Sequence, residues 1–403
     1  MTEDRIRNAA DEREAALEMR LAFREIFGEE ADGVVFAPGR VNLIGEHIDY
    51  NGGHVFPCAL TLGTFGAYRR RDDRVMRFHS LNFAGDGIIV SAIDTMEEEP
   101  REDWTKYTKG VVWAFEQKGH PVGSGFDFLC CGTIPNKSGL SSSASLEVCM
   151  GTALMEMFGP DGVDQVENAL IGQLAENRFV GLNCGIMDQF ASANGKKDHA
   201  ILLDCATLDY RHVPLDLSGA KLVIINTNKP HELVDSAYNE RRAECEKALE
   251  LLRAERPELS ALCELTPEEF DAMEGFLSET KVRDRARHAV YEEARTRRGA
   301  EALRRGDLTA FGQYMNASHV SLRDLFEVSC RELDVLAETA WDTPGVIGAR
   351  MTGGGFGGCT VNIVEEDAVE GFIERVGTKY LETIGYEASF YVVTAGDGAH
   401  RVD

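Results

Sequence analysis

The chain has 403 residues, enough for two or three domains with substantial cores, and its 43% hydrophobic and 8% aromatic content is that of a globular protein. Asp and Glu number 68 against 42 Lys and Arg, a formal net charge of −26, and a field of that sign repels phosphate backbones and anionic lipid surfaces, which argues against nucleic acid or a membrane as partner. A chain so charged holds an anion with a local device, backbone N–H groups at a helix N-terminus, so glycine-rich loops ahead of helices are the segments to find.

In chain order, Ala16, Met19, Phe23 and Phe27 fall at helical spacing among charged residues, and Gly28 stands where that helix ends. Short β-rich runs follow at Val34–Phe36, Ile88–Ser91 and Phe126–Cys130, with a helix over Trp104–Gln117 between the last two. Beyond Asp188, Ile201–Asp204 and Leu222–Asn226 are strand-like, and a long charged helical stretch runs from about His231 to Arg305. Within it, Thr266 is placed as an N-cap, Pro267 at the first helical position, and Glu269 to close a capping box. A strand–helix–strand pattern over Thr360–Val364, Asp367–Ile384 and Phe390–Val393 ends the chain. No repeat or low-complexity linker marks a domain boundary, and a division near residues 200–215 is the expectation.

The ten cysteines are scattered without a C-x-x-C pair, as in a cytoplasmic protein with reduced thiols. The first thirty residues lack a basic and then apolar signal-peptide pattern, and no apolar run reaches transmembrane length.

Four segments carry chemistry. Ala37–Gly53, APGRVNLIGEHIDYNGG, gathers Arg40, Glu46, His47 and Asp49 among small residues. Glu46, His47 and Asp49 suit the hydroxyls of a small polyol and Arg40 a phosphate or carboxylate; a polar turn with an Arg40–Asp49 ion pair fits the same residues. Pro135–Met157 puts a glycine and three serines ahead of a helical pattern, a cradle for a polyphosphate with a serine for magnesium, or else a Ser-capped helix, although one serine suffices for a cap. It is not a Walker A loop, because no Gly-Lys-Ser/Thr follows the glycine. Asn183–Gln189, NCGIMDQ, isolates Asp188 among glycine and apolar residues, as a helix cap or a general base, with Glu176 on a helical run upstream. In Arg350–Thr360, Gly353, Gly355 and Gly358 satisfy G-x-G-x-x-G, but the segment feeds a strand, whereas a dinucleotide fingerprint opens a helix.

These segments, in this order, resemble the galactokinases of the GHMP family of small-molecule kinases from about Phe36 to Val364. GRVNLIGEH-DYN (Gly39–Asn51) is similar to the family's sugar signature, GLSSSAS (Gly139–Ser145) to its phosphate loop, and MTGGGFGGC (Met351–Cys359) to its third motif. The resemblance implies an α+β, two-domain GHMP kinase fold with a ribosomal S5-like N-terminal domain over 1–210, a ferredoxin-like C-terminal domain over 211–403, and the active site in the interdomain cleft. It implies ATP-dependent phosphorylation of the anomeric hydroxyl of D-galactose, the first committed step of the Leloir pathway, with Asp188 as general base and Arg40 orienting it. Glu46, His47, Ile48, Asp49, Gly185 and Tyr238 are then the sugar contacts. Lys137, Ser138, Gly139, Leu140, Ser141, Ser142 and Ser143 become the ATP-phosphate loop, Ser143 and Glu176 the Mg²⁺ ligands, and Trp104, Tyr107 and Ser80 the adenine contacts. The implied partners are the sugar and ATP alone, in a cytoplasmic monomer or weak dimer.

Ile48 departs from the usual galactokinase Thr and matches the N-acetylgalactosamine kinases of the family, so that sugar is the alternative substrate. A non-catalytic sugar sensor is the alternative of another class. Such sensors lack the Ser-Ala pair that stands here as Ser143-Ala144.

Overall fold

The computed structural model describes residues 2–98, 103–135, 139–217, 219–229 and 234–403. Two helices open the chain, α1 (Thr2–Arg7) and α2 (Glu12–Phe27). The side chain of Asp11 caps α2 at Glu14 N–H, and Gly28, left-handed at φ 76°, ends it where the sequence predicts. The buried stripe of α2, including Met19, Phe23 and Phe27, packs against Val34, Phe36, Phe65 and Leu129 of the first sheet.

That sheet is built from β1 (Gly33–Asn42), β3 (Pro57–Arg70), β4 (Val75–Ser80), β5 (Ile89–Ala92) and β6 (Phe126–Gly132), after the short β2 (His54–Val55). The predicted Val34–Phe36 strand is longer than expected: β1 runs through Pro38 and Arg40, where its register against β3 shifts. Proline has no N–H to give the ladder, and a break there re-aims the next side chains. β3, which the sequence does not announce, is buried on both faces along most of its length, so it lacks the alternation that betrays a half-buried strand.

Helices α3 (Thr105–Gln117), α4 (Ser142–Phe158), α5 (Gln165–Leu174) and α6 (Met187–Asn194) cover the other face. They bury Val111, Phe115, Val148, Ile171 and Phe190 with Phe78, Phe126 and Phe128 of the sheet. β7 (His199–Asp204) and β8 (Tyr210–Pro214) form a small sheet with β2.

From β9 (Ala220–Asn226) onward the chain builds a second unit. The charged stretch is not one helix but α7 (Val234–Arg253), α8 (Pro267–Met273) and α9 (Thr280–Arg304), interrupted around Pro257 and Gly275; His231 lies outside the described residues. The capping box at Thr266 and Glu269 forms as predicted. Helices α10 (Leu308–Asp324) and α11 (Arg331–Trp341) lead to β10 (Val346–Thr352), β11 (Cys359–Glu365), α12 (Val369–Ile384) and β12 (Ser389–Val393).

Strands β9 to β12 make an antiparallel sheet in the order β10-β11-β9-β12. One face packs on α11 and α12 through Val223, Ile225, Leu336, Phe372 and Tyr380. The other face joins Leu222, Ile224, Phe311 and Val361 to Val41, Ile44 and Phe56 of the first unit. This shared core welds the end of β1 to the second sheet, and the functional residues lie along that seam.

Residue 210 is the first of β8, and the second sheet begins at Ala220. The last strand, β13 (His400–Arg401), crosses back to pair with β1. All ten cysteines are free thiols. No helix among the described residues is long and apolar enough to cross a membrane.

Candidate active site

Asp188 occupies the first turn of α6, and Arg40 reaches it from β1. The guanidinium grips both carboxylate oxygens, Nε to Oδ1 at 2.8 Å and Nη2 to Oδ2 at 2.7 Å, while Nη1 donates to the Gly139 carbonyl at 2.8 Å. A bidentate pair of this kind fixes the plane of the carboxylate as well as its position. Arg40 therefore pairs with Asp188 and not with Asp49, the partner that a simple polar turn would have required.

The loop before α4 ends at Ser141, held left-handed at φ 60°, and the Ser141 side chain does not cap the helix. The Ser141 hydroxyl donates to Asp188 Oδ2 at 2.5 Å. The side chain of this predicted phosphate-loop residue is thereby engaged by the carboxylate. Leu140, in the same predicted loop, also turns its side chain to the protein. Its side chain sits in the core beside Ile134 and Val41, and its carbonyl accepts the Arg40 N–H at 3.2 Å. Lys137 and Ser138 lie outside the described residues. Ser142 and Ser143, at the start of α4, line open cavities.

Next to Asp188 is a cavity of about 190 Å³ lined by Arg40, Glu46, His47, Asp49, Gly185 and Tyr238, with Ser143 and Glu176 at one side. Leu182, Cys184, Met187, Gly353 and Gly354 complete the wall. Ile48 is the exception among the predicted sugar contacts. His47 adopts φ 61°, and the chain then turns the Ile48 side chain into the core against Gly53, away from the cavity.

The polar groups of the cavity are held in definite states. Glu46 Oε1 accepts from the Gly353 N–H at 2.8 Å and the Thr352 hydroxyl at 3.1 Å, both supplied by the second unit. Burial pushes His47 down to about 3, so the ring is neutral. Its Nε2 lies 3.2 Å from the Gly354 carbonyl and its Nδ1 2.8 Å from the Tyr50 hydroxyl. A neutral ring with these neighbours carries its proton on Nε2, and the Tyr50 O–H donates to Nδ1. Both nitrogens are then engaged by the protein, so His47 shapes the wall through its ring. Burial, and then the charge of Asp188, push Asp49 up to about 6. Tyr238 packs against His47 and Tyr50, and burial keeps its phenol protonated.

Glu176 reads from sequence as an ordinary helical glutamate, but it sits in a single π-turn, Ala175–Val180, that continues α5 and turns the carboxylate inward. Its Oε2 accepts from Gln189 Nε2 at 2.6 Å and the Cys184 thiol at 3.3 Å, and Ser143 lines the same cavity. Gln189 also donates to Glu147 at 2.9 Å, and Glu147 Oε1 is buried without a partner among the described residues. Burial drives both glutamates up, Asp188 adding to the effect on Glu176 and Glu176 to the effect on Glu147. A divalent cation relieves such a cluster, so the donor set fits Mg²⁺, which takes one or two carboxylates with phosphate oxygens and waters. Among the described residues no three His, Cys, Asp or Glu side chains form a complete protein cage.

A second cavity of about 210 Å³ opens on the other side of Ser143, lined by Ser80, Asn82, Phe83, Trp104, Tyr107 and Ser142. The predicted adenine contacts Ser80, Trp104 and Tyr107 thus come together, and the buried Trp104 indole N–H has no partner among the described residues. Ser143 lines both cavities. The glycine loop after β10 feeds β11, as the sequence indicates, and its Gly353 and Gly354 line the first cavity.

Sequence reasoning missed Glu147, Gln189, Arg350 and Thr352. Glu147 lies four residues after Ser143, on the same face of α4, and Gln189 directly follows Asp188, so both had a local signal. Arg350 and Thr352 fall in the fourth segment, but nothing in the sequence ties them to Glu46, a relation that exists only after the two units dock.

Three family signatures match the chain: the galactokinase galactose-binding signature over residues 21–70, the GHMP kinases N terminal domain over 106–196 and the GHMP kinases C terminal over 300–382. The chain is 52% identical to a galactokinase of Clostridium beijerinckii across 94% of its own length and 97% of that protein, and 49% identical to a galactokinase of Bacillus subtilis across 96% and 98%. The crystal structure of Lactococcus lactis galactokinase complexed with galactose superposes with a TM-score of 0.93 at 46% identity, covering 95% of this chain and 99% of that one. Methanococcus jannaschii mevalonate kinase shares the fold, with a TM-score of 0.65 at 15% identity over 90% of this chain and 98% of that one.

Proposed function

The chain belongs to the galactokinases of the GHMP kinase family and carries out the ATP-dependent phosphorylation of galactose; we propose that the acceptor is the anomeric hydroxyl of the D-sugar, activated by Asp188. The observation that supports this assignment is the clamp of Arg40 on Asp188 in the wall of one cavity, with Ser143 shared between that cavity and a second. A sugar in the first and a nucleotide in the second would meet at Asp188 and Ser143.

The sugar is held by Glu46, Asp49, Tyr238 and the backbone around Gly185, with His47 as a packed wall. Asp188 accepts the proton of the attacking hydroxyl. Arg40 and Ser141 keep its oxygens in one orientation, which converts a diffusing encounter into a positioned one. Phosphoryl transfer has a loose, charge-rich transition state, so positioning and neutralisation do most of the work. Arg40 and the N–H groups at the start of α4 supply positive potential where the phosphates would lie. Ser143 and Glu176 would hold Mg²⁺, which when bound neutralises charge on the phosphate oxygens. Trp104 and Tyr107 offer aromatic surface for the adenine, with Ser80 beside them.

Ile48 is buried in the core and does not touch the cavity, so the residue that matches N-acetylgalactosamine kinases has no direct hold on the substrate. The test is ADP release from Mg·ATP with galactose, N-acetylgalactosamine, glucose or no sugar. Galactose alone is expected to drive release. Preference for N-acetylgalactosamine would overturn the substrate, and phosphate found on a hydroxyl other than the anomeric one would overturn the proposed acceptor.

A further inference from the structure

We propose that Arg350 is a positioning residue for galactose recognition, acting through Glu46 from the opposite unit of the molecule. The proposal rests on the reading of Glu46 as a sugar-binding group. Arg350 lies on β10 in the second unit and is completely buried. Its Nη1 donates to the Asn42 carbonyl at 2.9 Å and faces Glu46 Oε1 at 3.4 Å. Thr352, on the same strand and the same side, places its hydroxyl 3.0 Å from the Asn42 carbonyl and 3.1 Å from Glu46 Oε1, and the Gly353 N–H completes the set at 2.8 Å. One carboxylate oxygen is therefore fixed by three donors from a single short stretch of the second unit. The other oxygen is left to meet a sugar hydroxyl in the cavity that Glu46 lines.

The cost of Arg350 points to the same role. A buried guanidinium stabilises a fold only when its donors are all satisfied, and a hydrophobic side chain of similar volume otherwise serves as well or better. Nε and Nη2 of Arg350 have no partner among the described residues. Its contribution is thus concentrated in Nη1, which ties the end of β1 and the sugar-binding carboxylate to β10. A sugar hydroxyl that donates to Glu46 needs that carboxylate held in place, and the buried guanidinium at 3.4 Å helps to hold it. Galactose affinity accordingly depends on how β10 docks against β1, whereas the nucleotide cavity contains no residue of β10 or the loop after it.

The experiment is a double-mutant cycle between Arg350→Met and Glu46→Gln, read as separate KM values for galactose and for Mg·ATP. Losing a charge-assisted hydrogen bond typically costs a factor of about 10–100, and Arg350→Met is expected to raise the galactose KM by that much while the Mg·ATP KM stays within about twofold. If Arg350 acts through Glu46, the double variant has the galactose KM of Glu46→Gln alone. Arg350→Lys, which keeps the charge, is expected to fall between wild type and Arg350→Met.

Thr352→Val, nearly isosteric, removes one donor to the same oxygen and is expected to raise the galactose KM alone; it carries the test should Arg350→Met fail to fold. Multiplying effects in the double variant would overturn the proposal, as would equal rises in both KM values or a normal galactose KM in Thr352→Val while Glu46→Gln is impaired. A normal galactose KM in Glu46→Gln would instead overturn the sugar-binding reading of Glu46, and this proposal with it.

Discussion

Gly185 approaches Asp49 so closely that a methyl group on it would stand 1.7 Å from Oδ2 and 2.2 Å from Cγ. No non-bonded pair of heavy atoms tolerates that distance, so the absence of a side chain at 185 is what lets the Asp49 carboxylate sit in the wall of the proposed sugar cavity. In Gly185→Ala either Asp49 or the loop around Gly185 must move by an ångström or more. A displacement of that size typically costs about 10²-fold. The kcat/KM for galactose is expected to fall by about that factor with the Mg·ATP KM unchanged, as measured by steady-state kinetics. Equal losses for both substrates would mean that the loop, and not Asp49, carries the effect.

Asp188 and Arg40 invite a paired test. Asparagine at 188 keeps the shape of the side chain and one acceptor but removes the charge and the basic oxygen. Asp188→Asn is expected to lower the chemical step by about 10²–10⁴-fold, the usual range for loss of a general base, while nucleotide binding, measured by calorimetry, persists. Near-normal turnover would remove Asp188 from the proton-accepting role. Because Arg40 loses its bidentate partner in the variant, Arg40→Lys serves as a companion, with a loss of kcat expected from a ligand that cannot grip both oxygens.

What the sequence discloses and what it withholds divide by the range of the interaction. Helix α2 is legible to its last residue because Met19, Phe23, Phe27 and Gly28 are local signals, and so is the capping box of Thr266 and Glu269. The sugar signature and the phosphate loop are legible as continuous motifs. β3 is not, since both its faces are covered and periodicity has nothing to report. Ser141 and Ile48 sit inside the motifs and yet point elsewhere, one to Asp188 and one to the core, because left-handed backbone at Ser141 and His47 redirects them. Motif membership specifies a neighbourhood, and a positive φ decides which side chains enter it.

Asp49 titrates in a useful range. Its folded pKa of about 6 stands above the ordinary 3.8, so the ionised form is the costly one in the empty site. The stability it contributes is complete below its unfolded pKa and is lost as pH rises through about 6. A galactose hydroxyl donating to Asp49 binds the ionised form and offsets that cost. Galactose Kd is therefore expected to be level above pH 6 and to rise by about tenfold per unit below it. Thermal stabilisation by galactose is expected to be larger at pH 7.5 than at pH 5. Calorimetric titration across this range checks it, with Asp49→Asn as the control whose Kd should be weak and flat. A wild-type Kd that does not change between pH 5 and 7.5 would refute the assignment.

Acid stability follows from the buried histidine beneath the sugar signature. His288 has its Nδ1 2.8 Å from the Ser321 hydroxyl and its Nε2 3.1 Å from the Glu46 carbonyl, and burial pushes it down to about 4. The unfolded chain takes up a proton below pH 6.5 that the folded chain refuses until about pH 4, so stability present above 6.5 is lost as pH falls through this window. The loss from one such group is about 1.4 kcal/mol per pH unit. Buried carboxylates with raised pKa values, Asp49 and Glu176 among them, act in the opposite sense, so the net curve alone cannot isolate the histidine. His288→Gln can, because glutamine retains a donor and an acceptor but does not titrate. The variant is expected to be less stable than wild type at pH 7 and to close that gap as the pH is lowered toward 4.5, as followed by urea denaturation. Parallel curves for the two proteins would mean that His288 titrates alike in the folded and the unfolded chain.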